Sequence, residues 1–461
     1  MSTRHDEFRL RDGAWEVDFD SPPESQGRKT PKVHYPPEII PAERYYEPAE
    51  MEREWKGLWT HVWTIAGRMS DVANVGDCFT YQLGRENFII VRSSNTKIRA
   101  FYNVCAHRGN KMLYNEFGSL KKFTCAFHSW EYDLQGKLTR VTDEELWPKE
   151  LICDRPGLVE VACDTWGGFV FVNMDRNSVS LQEFLGPIPA QLAPYHLEDF
   201  VIYKDIEQLW EANWKTGVDA FIEAYHTHVV HPELLEFHEE KKVQYDCLPN
   251  GHSRMILAFG IISSRLTETY KSLPDILKAT IAQYGGDPEA YRGAPDNMRA
   301  ELVRLKRAWG KRNNLDFSGL TDHQVKDLWS YYLFPCATIN ITPDSCLVQR
   351  WRPHPKDPEK LIYDVVTLLP PVSGGDAQMT DLSALGAEGG QVGKRESGRP
   401  ARLHSKDGMD LGYVLNQDYQ QVPRQQEGLR SKAFKGMRFG HEEVRIRHYL
   451  SELDRYLEKN R

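Results

Sequence analysis

The chain has 461 residues, of which 40% are hydrophobic and 27% are charged, and its formal net charge is −8 at pH 7. This composition is typical of a globular protein with two or three domains, and the acidic balance argues against a nucleic-acid-binding protein, which is usually basic. No apolar run approaches the length of a membrane span, and the charged start lacks the apolar core of a signal peptide, so we expect a cytoplasmic protein.

The first third of the chain predicts an arm followed by a β-domain. Residues 1–44 are polar and contain several prolines, which predicts an arm that is either mobile or lies on a neighbouring subunit. Apolar and aromatic residues at helical spacing in residues 48–63 predict a short helix. Short apolar or alternating segments, separated by Gly-Asp, Gly-Arg and Ser-Asn-Thr turns, then predict an antiparallel β-domain over residues 45–177.

Two loops of this β-domain carry cysteine and histidine together. The first reads Cys-Ala-His-Arg-Gly and contains Cys105 and His107, and the second reads Cys-Ala-Phe-His-Ser-Trp and contains Cys125 and His128. Two thiolates and two imidazoles are the ligands of a Rieske [2Fe–2S] centre, in which the sulfurs hold one iron and the histidine nitrogens hold the other. A zinc site is the alternative, but zinc fingers usually keep their cysteines in one pair and their histidines in another, whereas this chain alternates them.

The pattern changes after residue 177, which predicts a second domain over residues 178–461. Its periodicity predicts both helices and strands: helices over residues 274–284, 295–312, 413–429 and 442–459, and strands over residues 202–215, 329–341, 346–354 and 361–369. Residues 371–408 are rich in Gly, Ser and Ala, which predicts a long surface loop or flexible insertion.

Three histidines lie close together near the start of this second domain, namely His226, His228 and His231, the last followed by Pro232. Oxygen activation at non-heme ferrous iron uses two histidines and one carboxylate and leaves the other coordination positions open. His228 and His231 are three residues apart and would share one face of a regular helix, so spacing alone makes that pair attractive.

The two cysteine–histidine loops closely resemble those of Rieske non-heme iron oxygenases, specifically their large (alpha) subunit, and the likeness extends over about residues 45–430. The resemblance implies an α+β protein, with an antiparallel β Rieske domain and a helix-covered antiparallel-sheet catalytic domain that holds a mononuclear iron. It also implies that His226 and His231 are the iron ligands. His228 is then a solvated or core histidine.

The carboxylate ligand of the iron is expected from a helix far downstream. Members of the family supply an aspartate that precedes a Gln-x-Gly-Leu run by about two turns, and Asp418 stands in that position here. Asp407 and Asp410 are the alternatives, in a more polar stretch. Pro423 lies in the same predicted helix and is expected to kink it just past the ligand.

Glu223 stands where the family carries an acidic residue between the cluster of one subunit and the iron of the next. The resemblance implies that Glu223 hydrogen-bonds His226 on one side and a cluster histidine of a neighbouring subunit, His107 or His128, on the other. Such a carboxylate fixes the tautomer and orientation of an imidazole. Asp219, four residues earlier, would share its face of a helix and is expected to extend the same network.

The resemblance implies a terminal oxygenase that uses dioxygen to hydroxylate a small molecule, with oxidative O- or N-demethylation as an alternative. Apolar residues near the predicted ligands, among them Phe221 and Phe259, suit a hydrophobic, aromatic or polycyclic substrate and would equally suit an ordinary core. The chain has no Gly-rich dinucleotide fingerprint, so a separate reductase, with or without a ferredoxin, is expected to supply electrons. Electron transfer between subunits implies a homotrimer or a multiple of it. Iron content separates the hypotheses: about three irons per chain for the oxygenase, about two for a pure Rieske electron carrier and none for a zinc module.

Overall fold

The computed structural model describes residues 33–266, 273–291, 298–373, 377–385, 391–393, 398–405 and 411–460. The chain divides into two units. The larger contains the described residues of Met1–Glu50, Leu185–Arg352 and Pro358–Arg455, and the smaller contains those of Met51–Phe184, Pro353–Asp357 and Tyr456–Arg461. Residues 1–32 of the predicted arm lie outside the described residues. None of the described helices combines the length and the apolar character that crossing a membrane requires.

The smaller unit is built from short antiparallel strands. They are β1 Thr64–Arg68, β2 Asp77–Leu83, β3 Glu86–Ser94, β4 Lys97–Tyr102, β5 Phe117–Ser119, β6 Phe123–Thr124, β7 Glu131–Tyr132, β8 Leu138–Arg140, β9 Glu160–Trp166 and β10 Phe169–Asn173. One sheet has the order β1-β10-β9-β4-β3-β2-β5, and β6-β7-β8 form a second sheet. The turn between β2 and β3 uses Gly84 at φ +49°, a left-handed conformation that suits glycine.

The two cysteine–histidine loops connect strands of this unit: the first joins β4 to β5, and the second joins β6 to β7. Their cysteines belong to a hydrophobic core that also contains Met112, Phe123 and Trp130. Because the core holds the base of both loops, the loops are fixed relative to each other.

The strands of the larger unit form one main sheet. They are β11 Val201–Trp210, β12 Gln244–Cys247, β13 Ser253–Leu257, β14 Leu328–Leu333, β15 Ala337–Thr342, β16 Ser345–Pro353, β17 Leu361–Leu369, β18 Met379–Thr380, β19 Gln391–Val392 and β20 Leu403–Ser405. The main sheet has the order β12-β13-β14-β15-β16-β17-β11-β20, and β18 pairs with β19. Pairing is antiparallel from β12 to β16 and between β11 and β17, and parallel between β11 and β20.

Most of the described helices belong to the larger unit. The helices are α1 Pro48–Glu54, α2 Leu181–Leu185, α3 Ile188–Leu192, α4 Trp214–Phe221, α5 Thr227–Val230, α6 Asp275–Gln283, α7 Met298–Arg312, α8 Asp322–Lys326, α9 Tyr413–Leu429 and α10 Val444–Lys459. Side chains of α6 and α7 pack in one core with residues of β13 and β17. This arrangement confirms the predicted α+β class, with an antiparallel β-domain and a second domain in which helices accompany a largely antiparallel sheet.

The structure differs from the predicted elements at several points. The strand predicted over residues 202–215 ends at Trp210, because the Asn213 side chain accepts a hydrogen bond from the Lys215 amide at 2.9 Å and caps α4. The strand predicted over residues 329–341 is two strands, β14 and β15. The described parts of the predicted insertion, residues 371–408, contain β18, β19 and β20.

Candidate metal centres and active site

The four predicted cluster residues meet in the smaller unit as two pairs. Cys105 and Cys125 are buried and lie within hydrogen-bonding reach of each other. The rings of His107 and His128 have centroids 4.7 Å apart and an interplanar angle of 71°. Each loop therefore contributes one residue to the thiol pair and one to the imidazole pair.

Hydrogen bonds distinguish the two thiols. The hydroxyl of Tyr132 lies 3.2 Å from Sγ of Cys105, and burial raises the pKa of the Cys105 thiol. Burial acts in the same direction on Cys125, but the backbone amides of Phe127 and His128 donate to its sulfur and hold the pKa of the Cys125 thiol below its ordinary value. Amides that point at a sulfur stabilise the thiolate, which is the form that ligates iron.

This pairing fits a two-iron cluster better than a single zinc ion. A structural zinc ion needs all four ligand atoms around one point. The donor atoms of these four residues do not all lie within 4.8 Å of one another. Those of His226, His231 and Asp418 in the larger unit do. In addition, Nδ1 of His107 is buried and has no hydrogen-bond partner among the described residues, as expected of a ligand atom. The residues fit a Rieske [2Fe–2S] cluster.

Two tryptophans enclose His107. Trp130 stacks on the His107 ring, with centroids 4.8 Å apart and an interplanar angle of 11°, and Trp147 meets the same ring edge-on, at 5.1 Å and 78°. The sequence pattern does not single out Trp147, because this residue lies in a loop after β8, 40 residues from His107. Together the two indoles restrict the orientation of the imidazole.

The second candidate site begins where a helix is interrupted. α4 ends at Phe221, and the short helix α5 begins after His226 and ends before His231. The two histidines therefore flank α5, and the regular-helix spacing that favours His228 with His231 does not apply. Pro232, which has no amide hydrogen to donate within a helix, follows His231 directly and fits the end of α5 at Val230. The Nδ1 atom of His228 lies 2.9 Å from the carbonyl oxygen of Tyr225 instead.

His226, His231 and Asp418 lie together, with their ligand atoms within 4.8 Å of one another. Nε2 of His231 is 3.1 Å from Oδ1 of Asp418, and Nε2 of His226 is 3.5 Å from the same oxygen. Two imidazoles and one carboxylate on one side are the donor set of a non-heme ferrous site. Asp407 and Asp410, the alternative carboxylates, lie outside the described residues.

Each of these histidines is oriented by an oxygen acceptor on the far side of its ring. Nδ1 of His226 bonds the carboxylate of Glu223, and Nδ1 of His231 lies 2.7 Å from Oε1 of Gln417. Because Nδ1 of each ring faces its own acceptor, Nε2 is the nitrogen left on the side of Asp418, where a metal ion would be held. Burial lowers the pKa of His226, but the Glu223 carboxylate and then Asp418 raise it to about 9. Gln417 was missed by the sequence analysis; its only signal is its place beside Asp418.

Asp418 lies on α9, and Gln426 fixes α9 to α4. Oε1 of Gln426 accepts hydrogen bonds from the Asn213 amide at 3.0 Å and the Thr216 hydroxyl at 2.7 Å, and its Nε2 donates to the Tyr45 carbonyl at 3.0 Å. α9 runs through Pro423 as one helix from Tyr413 to Leu429. The side chain of Gln426 thus helps to place the aspartate relative to the histidines.

Asp219 was predicted to extend the hydrogen-bond network of Glu223, but its carboxylate bonds two tyrosines instead. The hydroxyl of Tyr45 donates to Oδ2 of Asp219 at 2.8 Å, and the hydroxyl of Tyr449 donates to Oδ1. Asp219 lies on α4, which ends at Phe221, so the regular helix that would place it on one face with Glu223 does not extend to Glu223. We therefore assign Asp219 a packing role rather than a catalytic one.

Asp219 should make the unfolding free energy depend on pH. Burial raises the pKa of Asp219 from 3.8 to about 7, against the tyrosine hydroxyls and Lys215, which lower it. The folded chain thus keeps this proton where the unfolded chain has lost it, so the contribution of Asp219 to the unfolding free energy falls as the pH rises from about 4 to about 7. In Asp219→Asn this fall should be absent. Between pH 5 and pH 7 the unfolding free energy of the variant should therefore decrease by about 2 kcal/mol less than that of the unmodified protein. Urea unfolding at both pH values checks this, and an unchanged pH dependence would contradict it.

A cavity adjoins the histidine–aspartate group, with about 820 Å³ of space, solvent at its mouth included. His226, His231 and Asp418 lie in its wall. Most of the other lining residues are apolar, among them Phe221, Phe237, Leu257, Phe259, Leu347 and Leu415. A cavity with an apolar lining and a few polar groups is typical of a small-molecule site.

Three basic residues of the larger unit, Arg350, Arg352 and Lys215, contact groups other than the cavity lining. Nε of Arg350 lies 3.1 Å and Nε of Arg352 lies 2.7 Å from the Asp364 carboxylate. The Lys215 ammonium lies over the rings of Tyr45 and Trp214, at 5.3 and 5.0 Å. No lysine or arginine is among the described residues that line the cavity.

Comparisons with known proteins agree with this geometry. The model of the Rieske [2Fe-2S] domain matches residues 62–148, and the model of the ring hydroxylating alpha subunit (catalytic domain) matches residues 195–459. The glycine betaine monooxygenase oxygenase subunit of Chromohalobacter salexigens is 30% identical over 335 residues, which cover 70% of this chain and 73% of the relative. The carnitine monooxygenase oxygenase subunit of Escherichia coli is 32% identical over 195 residues, or 42% of this chain and 52% of the relative.

Solved structures share the fold. A crystal structure of the quaternary ammonium Rieske monooxygenase CntA with an inhibitor has a TM-score of 0.63 and 19% identity, covering 91% of this chain and 95% of that one. Naphthalene 1,2-dioxygenase from Rhodococcus sp. bound to indole has a TM-score of 0.57 and 17% identity, covering 91% and 94%. With both domain models matched in order along the sequence, the chain belongs to the Rieske non-heme iron oxygenases, as an oxygenase (alpha) subunit that binds a [2Fe–2S] cluster and a mononuclear iron.

Proposed function

We propose that this oxygenase hydroxylates a small, largely apolar molecule, aromatic or polycyclic, that binds in the cavity beside His226, His231 and Asp418. The lining of that cavity carries the proposal. Apolar side chains, chiefly phenylalanine and leucine, form most of it, and the described lining contains no lysine or arginine to pair with an anionic substrate. An apolar molecule gains free energy from leaving water for such a lining, whereas a carboxylate would lose hydration without gaining a lysine or arginine as partner.

We further propose which residues hold the two metal groups. Cys105, His107, Cys125 and His128 would hold the cluster, and His226, His231 and Asp418 would hold the iron. When bound, the iron supplies the activation of dioxygen and the cluster supplies single electrons. The apolar lining excludes water from the substrate, and the histidine–aspartate group leaves one side facing the cavity.

Glu223 is proposed as a positioning residue for His226. Glu223→Gln keeps an oxygen that can accept the Nδ1–H of His226 but removes the negative charge, so the histidine becomes a weaker ligand. We expect the affinity for ferrous iron to fall by about 10-fold, with the cluster spectrum unchanged. Iron binding to the iron-depleted protein measures this. Glu198→Gln, an exposed glutamate in the same unit and outside the cavity lining, should bind iron as the unmodified protein does. Equal affinity in all three proteins would contradict the role.

A second candidate function is the oxidation of an N-methyl group of a quaternary ammonium compound, with loss of that group. The names of the glycine betaine and carnitine monooxygenase relatives favour it. The rings of Phe237 and Phe259, 4.6 Å apart in the cavity wall, could face a cation. Against it, both of those compounds carry a carboxylate, for which the described lining offers no cationic partner.

Product analysis tests the two functions directly. The holoprotein is supplied with a reductase, with or without a ferredoxin, and with NADH and dioxygen, and is incubated separately with naphthalene, indole, glycine betaine and carnitine. Hydroxylated ring products support the proposed function. Formaldehyde released from glycine betaine or carnitine, without ring products, would replace it with the second candidate. We place this reaction in the cytoplasm, where such a reductase obtains NADH.

The proposed assembly is a homotrimer or a multiple of it, because Glu223 is expected to face the cluster of a neighbouring subunit. Its carboxylate lies at the break between α4 and α5, where Tyr225 exposes its ring, and Val229 of α5 is also exposed. Sedimentation should give a mass of three, or a multiple of three, times 53.3 kDa. A monomer that turns over substrate would contradict the assembly and leave the ligand assignment standing.

A further inference from the structure

His238 is a buried polar residue in the wall of the cavity, and the reaction as described so far does not use it. Its side chain is only 2% exposed. Nδ1 lies 3.3 Å from the carbonyl oxygen of Ala258, and Nε2 is buried without a hydrogen-bond partner among the described residues. Since buried polar atoms are nearly always paired, an unpaired nitrogen on a substrate cavity points to a group of the substrate.

The hydrogen bond to Ala258 fixes the kind of partner that Nε2 can take. A carbonyl oxygen can only accept, so Nδ1 of His238 carries the proton and Nε2 carries a lone pair. Burial lowers the pKa of His238 to about 4, although the Ala258 carbonyl, Glu240 and Asp327 act in the opposite direction. The imidazole is therefore neutral near pH 7, and Nε2 is an acceptor there.

The ring is also held in place. The backbone amide of His238 donates to the Leu234 carbonyl at 2.8 Å, and the residue forms an isolated antiparallel bridge with Phe259. The Phe259 ring meets the imidazole edge-on, with centroids 6.2 Å apart. An acceptor fixed in this way selects by direction as well as by chemistry, because it cannot turn to meet a group elsewhere in the cavity.

We propose that Nε2 of His238 accepts a hydrogen bond from a hydroxyl or N–H group of the substrate. The residue thereby selects, among apolar molecules of suitable size, those that carry one hydrogen-bond donor. This inference rests on the proposed function, because it takes the cavity as the substrate site. It also bears on the second candidate function, since glycine betaine has neither a hydroxyl nor an N–H group, whereas carnitine has a hydroxyl.

Two nearly isosteric probes test the proposal: indole, which has an N–H donor, and benzothiophene, which has none. Their dissociation constants are measured by calorimetry on the holoprotein without reductase, so that no turnover occurs. We expect indole to bind about 10-fold more tightly than benzothiophene, the difference that one hydrogen bond in an apolar cavity supports. In His238→Phe this preference should vanish while benzothiophene binds as before, which also shows that the cavity is intact.

His238→Gln keeps a side-chain acceptor and should retain part of the preference for indole. Equal binding of the two probes to the unmodified protein, or a preference that survives in His238→Phe, would overturn the role of His238 and leave the proposed function standing. Failure of both probes to bind would overturn the apolar substrate class, and this inference with it.

Discussion

His231→Ala is expected to lose the mononuclear iron, retain the [2Fe–2S] spectrum and form no product. The side chain is buried, its Nε2 lies 3.1 Å from Asp418, and its Nδ1 is held by Gln417. Alanine removes one of three protein ligands and leaves a gap that no described histidine fills. The iron content should fall from about three to about two per chain. Product formation should fall by more than the roughly 10–100-fold that follows from losing a residue that only orients a ligand.

His228→Ala is the matched control for this experiment. His228 lies on α5 between the two proposed ligands, but its Nδ1 bonds the Tyr225 carbonyl and it takes no part in the group with Asp418. This variant should keep about three irons per chain and most of the turnover. Loss of the iron in His228→Ala, or its retention in His231→Ala, would show that the ligand pair is wrongly assigned.

Cys125→Ser is expected to abolish the visible absorption of the cluster and to leave about one iron per chain. Sγ of Cys125 is buried, receives hydrogen bonds from the amides of Phe127 and His128, and lies beside Cys105. A serine hydroxyl at this place is a poor substitute, because it does not ionise near neutral pH as a stabilised thiol does. Without the cluster, electrons from the reductase should not reach the substrate, and product formation should stop.

Cys153→Ser provides the control, since Cys153 is an exposed free thiol in the same unit. Its spectrum and iron content should match those of the unmodified protein. Absorption spectra, with iron and zinc analysis of both variants, give the measurement. A zinc content near one per chain with no iron at the cysteines would instead favour the zinc module.

The two cysteine–histidine loops could be predicted because their chemistry is local. Each loop carries one thiol and one imidazole within a few residues, so the pattern is visible in the sequence. The iron site is different, because the hydrogen bond between His231 and Asp418 joins residues 187 positions apart. Spacing alone also favoured His228 over His226, since it assumed a regular helix where the chain breaks between α4 and α5. The resemblance to a family, rather than the periodicity, identified His226 and Asp418 as candidates.

Residues that act through distant partners left no signal in the sequence. Gln417 and His238 matter because of what the fold brings beside them, the ring of His231 in one case and the carbonyl of Ala258 in the other. For Asp219, by contrast, the sequence did offer a signal, but that signal suggested a different partner from those in the structure. Its helical spacing to Glu223 suggested one network, but its partners are tyrosines 174 and 230 positions away along the chain.

Those tyrosines have a consequence for biosynthesis. Tyr45 precedes the smaller unit in sequence and Tyr449 lies in α10, yet both donate to Asp219 on α4, the helix that leads to the iron ligands. Residues 51–184 contain nearly all of the smaller unit and emerge from the ribosome early, so this unit can fold during translation. The larger unit must wait for its last helix. We therefore expect a nascent chain to acquire its iron–sulfur cluster well before it can hold the mononuclear iron.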